Sequence, residues 1–136
     1  MPESNKQKQI LFVCVENAGR SQMAEAFANN MGLISTSAGT NPLPNIYPTV
    51  IGAMREKGIE ISRSTPKLLT PEMIVRAQLV VTMGCSVEQL CPRPMLAELK
   101  KRVIDWNIED PKGRSMSEAR KIRDEIERRV KELAES

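Results

Sequence analysis

The chain has 136 residues, 40% of them hydrophobic and 27% charged, with a formal net charge of +3; this is the size and balance of one globular domain with a sizeable core. No apolar stretch approaches the roughly 20 residues that span a bilayer. The polar start MPESNKQKQ does not fit a secretory signal, so a cytoplasmic protein is expected.

Gln9 to Val13 is a short continuous apolar run, which predicts a buried parallel strand. Arg20 to Met31 places Met23, Ala24, Phe27 and Met31 at helical spacing and stops before Gly32. LISTSAG (33–39) reads as a second strand. Pro48 to Lys57 predicts a helix with Val50, Ile51 and Met54 on one face and Gly58 at its stop. Thr70-Pro71-Glu72 supplies an N-cap, a proline at the first helical position and an acid in the first turn. The short helix it starts leads into QLVVTM (78–83), a third strand, and RVIDW (102–106) is the fourth.

The last segment is the clearest helix. Ser115 and Glu118 fit a capping box, and Met116, Ala119, Ile122, Ile126, Val130 and Leu133 form the apolar stripe. Asp124–Arg128, Glu125–Arg129 and Glu127–Lys131 are expected as i,i+4 pairs on a solvated face. Strands alternating with helices predict a single α/β domain over residues 1–136, with a parallel sheet of four strands covered by helices on both faces.

The mild positive excess suits an anionic substrate, but two Phe, one Tyr and one Trp offer no stacking platform for nucleic acid. The three cysteines are an odd number in a chain without an export signal, so they are read as packing, metal or catalytic thiols. The absence of histidine removes Ser-His and Cys-His dyads and every His-containing metal site. No C-x2-C pair is present either, and no metal is expected.

The stretch CVENAGRS (14–21) joins the first strand to the first helix. A loop in that position turns successive backbone N–H groups inward and adds the helix dipole, which makes it an anion site. Val15, Glu16, Asn17, Ala18, Gly19, Arg20 and Ser21 would then bind the substrate. Cys14 would sit at the base, where the same field favours a nucleophilic thiolate. Arg20 offers a planar fork for two oxygens of a tetrahedral oxyanion, and Ser21 can donate its hydroxyl to the sulfur. Asn17 and Gly19 suit a tight loop, since both tolerate left-handed backbone and Asn can bond to neighbouring amides. The alternative is a buried packing cysteine.

Two further elements could serve such a site. Asp110, followed by Pro111, is a loop carboxylic acid able to protonate a departing oxygen, although Asp-Pro is also ordinary turn chemistry. Cys85 and Cys91 follow the third strand, whose C-terminal end lies on the same sheet edge as Cys14. They form either a thiol relay or two packing residues.

CVENAGRSQMAEAF resembles the signature loop and helix of the low-molecular-weight protein tyrosine phosphatase superfamily, in particular its thioredoxin-coupled arsenate reductases. STSAGT (36–41), VVTMGC, EDPKGRS (109–115), the paired cysteines and RDEIERRVKEL (123–133) extend the likeness over nearly the whole chain. The resemblance implies Cys14 as nucleophile, Arg20 as oxyanion clamp and Asp110 as general acid. It also implies that Cys85 attacks the Cys14 sulfur as arsenite leaves, and that Cys91 then attacks Cys85. Thioredoxin or a similar dithiol protein would reduce the resulting disulfide, with no tightly bound cofactor. Glu16 stands where phosphatases of the fold commonly have glycine, and is expected to point outward. Some of these reductases hold potassium near residues matching Asn17, Glu25 and Ser37, but Lys67 stands where a further acid would be. The rival within the superfamily is a phosphatase hydrolysing phosphate monoesters through a cysteinyl-phosphate. Against it, Lys112, Gly113 and Arg114 follow Asp110-Pro111, where such phosphatases often place tyrosines. A non-catalytic redox or oxyanion-binding module is the remaining reading.

Overall fold

A computed structural model of the chain describes residues 9–84 and 103–135. The elements are β1 (Gln9–Cys14), α1 (Arg20–Asn30), β2 (Ile34–Gly39), α2 (Pro48–Arg55), α3 (Pro71–Arg76), β3 (Leu79–Thr82), β4 (Val103–Asp105) and α4 (Met116–Glu135). All four strands are parallel, in the order β2-β1-β3-β4. β1 is therefore paired on both sides, and its C-terminal residue Cys14 stands opposite Gly39 of β2.

Strand alternation divides the core into two layers. Ile10 and Phe12 point to one face with Met23 and Phe27 of α1, Val50 and Met54 of α2, and Ile122, Ile126 and Val130 of α4. Leu11 and Val13 point to the other, against Val80 and Ile74 of α3. Each fully buried side chain of this kind is worth about 1.5–3 kcal/mol, which fixes the register of β1 and so the place of the residue at its end. Among the described residues, no helix is long and apolar enough to cross a membrane.

The helix signals act as expected at most ends. Thr70 accepts from Met73 N at 3.3 Å, and Ser115 and Glu118 exchange the two bonds of a capping box at 3.2 and 3.4 Å. Gly58, at φ +75, receives the chain after α2. The surface pairing of α4 differs from expectation. Glu125 does bind Arg129 at 2.6 Å, but Arg128 bonds to Glu125 and Glu132. Glu127 reaches across to Lys57 at 3.0 Å, because α2 packs alongside α4 and brings the residues that follow it within reach.

Arg123 is the buried exception on α4. It donates to Ala53 O at 2.9 Å and to Glu56 Oε1 at 2.7 Å, tying α4 to the end of α2. Bonds from Arg120 and then Arg123 hold the Glu56 carboxyl down at about 2.

Candidate active site

The residues between β1 and α1 form a loop whose carbonyls face away from its centre. Val15 O accepts from Asn41 N at 2.8 Å, Glu16 O from Leu43 N at 3.1 Å and Ala18 O from Tyr47 N at 3.0 Å. In a trans peptide the N–H lies opposite the C=O, so the amides of Glu16, Asn17 and Gly19 are turned inward. The brace is the segment NPLPNIY (41–47), which the sequence reading left without a role. Gly39 carries the loop from below: a Cβ there would stand 2.5 Å from Val15 O and 2.9 Å from Asn17 N, so no larger residue fits.

At the base, a chain of hydrogen bonds has one direction. The Lys67 backbone N–H can only donate, and it donates to Asn17 Oδ1 at 2.8 Å, as does Gln22 Nε2 at 3.0 Å. Asn17 Nδ2 is thereby aimed at Ser21 Oγ, 2.7 Å away. Ser21 accepts that bond, which leaves its own proton for Cys14 Sγ at 2.8 Å. Asn17 N donates to the same sulfur at 3.2 Å. Cys14 thus receives two donors, which fix its sulfur at the base of the loop. Cys14, Asn17 and Ser21 are all buried.

Asn17 takes left-handed backbone at φ +50. Gly19 does not: its φ is −144. Its need for glycine is steric, since a Cβ would lie 2.9 Å from Pro111 Cγ and 3.2 Å from the Tyr47 ring. Gly19 opens α1 with no side-chain cap and no acid in the first turn, as Tyr47 does for α2, whereas α3 and α4 have both a cap and an acid. An uncapped, acid-free helix start keeps its amides for an anion.

Arg20 is fixed by two carbonyls. Its Nη1 donates to Met83 O, at the end of β3, and to Ile108 O at 2.9 Å. Nη2 lies 3.8 Å from Asp110 Oδ2. Asp105 closes the β3–β4 edge by accepting from Thr82 Oγ1, Gly84 N and Asn107 N, and sequence reasoning had not singled it out. The structure therefore brings together Cys14, Val15, Glu16, Asn17, Ala18, Gly19, Arg20, Ser21 and Asp110. A Cβ on Gly84 would stand 3.3 Å from Arg20 Nη1. Cys85 and Cys91, immediately beyond, lie outside the described residues.

Both carboxylate oxygens of Glu16 are bound outside the loop, Oε1 by the Tyr47 hydroxyl and Oε2 by Lys112 Nζ at 2.9 Å. The Tyr47 bond and then Lys112 hold the Glu16 carboxyl below the usual range. Burial, and then that same bond, pushes the Tyr47 phenol up, so it stays a donor. Behind the loop, Lys67 Nζ lies 3.4 Å from Glu25 Oε1, which also accepts from Ser37 Oγ at 2.6 Å. A fixed ammonium thus occupies the neighbourhood where the family resemblance suggested a cation.

The model of the low molecular weight phosphotyrosine protein phosphatase family matches residues 9–136. The chain belongs to this family. Within it, the chain is 35% identical over 130 residues to the glutaredoxin arsenate reductase of Synechocystis sp., covering 93% of this chain and 95% of that one. The thioredoxin-dependent arsenate reductase of Corynebacterium glutamicum superposes with a TM-score of 0.73 at 37% identity, covering 93% of this chain and 59% of that chain. The arginine phosphatase of Geobacillus stearothermophilus superposes with a TM-score of 0.80 at 29% identity, covering 94% of this chain and 91% of that chain. Proteins named for either chemistry are thus similar to this chain, and these two reductases share more of its sequence than this phosphatase does.

Proposed function

We propose that this protein reduces arsenate to arsenite, with Cys14 as nucleophile and Cys85 and Cys91 as a disulfide relay. The observation that supports the first half is the Cys14 sulfur, held by Ser21 and Asn17 at the base of a loop with inward amides. Arg20 and Asp110 stand at that loop. The thiolate attacks arsenic and displaces one oxygen, which Asp110 protonates so that it leaves as water. Arg20 and the amides of the loop stabilise the charge on the remaining oxygens.

The second half balances as thiol exchange. Cys85 attacks the Cys14 sulfur, the sulfur–arsenic bond breaks, and its electron pair leaves with arsenic, taking As(V) to As(III). Cys91 attacks Cys85 and frees Cys14, leaving a Cys85–Cys91 disulfide. A dithiol protein of the thioredoxin or glutaredoxin type supplies the two electrons that restore the thiols. A cytoplasmic setting and a single domain spanning residues 1–136 belong to the same reading, since the cycle needs a reducing compartment.

The phosphatase reading stays open because the same loop, acid and nucleophile suffice to hydrolyse a phosphate ester. Arsenate-dependent NADPH oxidation, coupled in turn to thioredoxin and glutaredoxin systems, separates the two. Turnover lost in both Cys85→Ser and Cys91→Ser, with aryl phosphate hydrolysis retained, is the expected result. Hydrolysis unchanged by either substitution, with no response to arsenate, would establish a phosphatase.

A further inference from the structure

We propose that Glu16 is a positioning residue for the proton donor: by clasping Lys112 across the mouth of the site, it holds the Asp110 loop over the oxyanion loop. The inference rests on the reading of Asp110 as the acid, and it applies whether the group attacked is arsenate or a phosphate ester.

An acid on an anion-binding loop opposes the anion by like charge, so Glu16 needs a compensating role. Its carboxylate makes no bond within the loop. One oxygen takes the Tyr47 hydroxyl and the other takes the Lys112 ammonium, a residue 96 positions away in sequence. Lys112 in turn holds Asp110 by a second group: its backbone N–H donates to Asp110 Oδ1 at 3.0 Å. The same residue therefore grips the oxyanion loop with its side chain and the acid with its main chain.

Asp110 has only a loose contact with the buried part of the site. Its other oxygen lies 3.8 Å from Arg20 Nη2, and its side chain is 43% exposed. Where Lys112 sits thus decides where the acid sits. Tyr47 completes the clasp by fixing the second Glu16 oxygen, and its ring and Pro111 both close on Gly19. An ion pair with one partner this exposed contributes little to stability. Its effect is geometric, since displacing a reacting group by about 1 Å can cost about 100-fold in rate.

The test compares Glu16→Gln, Lys112→Met, the pair combined, Asp110→Asn and Asp110→Asn with Glu16→Gln. Thermal melting first establishes that each variant folds, and the two single variants break the same bond from opposite ends. The readouts are kcat and KM for arsenate with a reductant. In parallel, hydrolysis is followed for aryl phosphates ranging from dinitrophenyl, a good leaving group, to phenyl, a poor one. The clasp predicts about a tenfold fall in kcat for either single variant, well within the range of general-acid effects. The fall is largest for phenyl phosphate, the double variant is no worse than either single one, and Glu16→Gln adds nothing once Asp110 is Asn. If Glu16→Gln only lowers KM, as removal of a like charge would, the proposal is overturned. Losses that add in full to that of Asp110→Asn overturn it too. Absence of arsenate turnover in the wild type would instead remove the reductase reading, with the clasp still read on the aryl esters.

Discussion

The oxyanion loop and the Asp110 loop meet at one site but are built differently. The first is largely buried and braced from three sides: by the segment 41–47, by Gly39 beneath it, and by the Lys67–Asn17–Ser21 chain. The second is exposed and held by Lys112, by Pro111 against Gly19, and by a distant contact with Arg20. A site that must bind a tetrahedral anion repeatedly gains from a rigid cradle. The proton donor, which must admit substrate and release product, can be held by a few exposed contacts. The difference predicts that damage to the cradle costs more than damage to the cover.

Arg20→Lys should break the comparison hardest. A lysine ammonium cannot bond Met83 O and Ile108 O while presenting a second nitrogen to the oxyanion. A loss of about 100- to 1000-fold in kcat/KM is expected, the scale of a lost oxyanion donor; steady-state turnover measures it. Ser21→Ala removes the hydroxyl that donates to the sulfur and strands Asn17 Nδ2. About a tenfold slower alkylation of Cys14 by iodoacetamide at neutral pH is expected, as for loss of one charge-assisted bond of about 1.5 kcal/mol.

The smallest effect lies far from both loops and serves as a control. Glu56 is held at about 2 by Arg120 and Arg123, well below the ordinary 4.5. Its folded value is depressed, so the pairing stabilises the protein above the unfolded value, and that gain is lost as pH falls through about 2. Urea midpoints of the wild type and Glu56→Gln should therefore differ at pH 7, converge between 4.5 and 2, and show no accompanying change in kcat.

What the sequence made legible was local. The strand–loop–helix of CVENAGRS, the Thr70 cap and the Ser115 capping box depend on neighbours within a few positions, and all three appear as expected. The donation from Ser21 to Cys14 was legible for the same reason. What was not legible depends on approach in space. Gly19 was expected to serve by its backbone angle, but it serves because Pro111 and Tyr47 leave no room for a side chain. Asp105 and the 41–47 brace act by bonds to other elements, and Glu127 finds its partner in Lys57, just past the end of α2. The Glu16–Lys112 bond has no local signal, because neither residue belongs to a helical or strand pattern that would place the other.

The most direct test of the account is a single turnover of the reduced protein with arsenate and no external reductant, quenched and mapped by peptide mass spectrometry. The account predicts one arsenite formed per chain, a Cys85–Cys91 disulfide, and Cys14 returned to the free thiol. Arsenate left unreduced with all three thiols free, by a preparation that hydrolyses aryl phosphate, would contradict it.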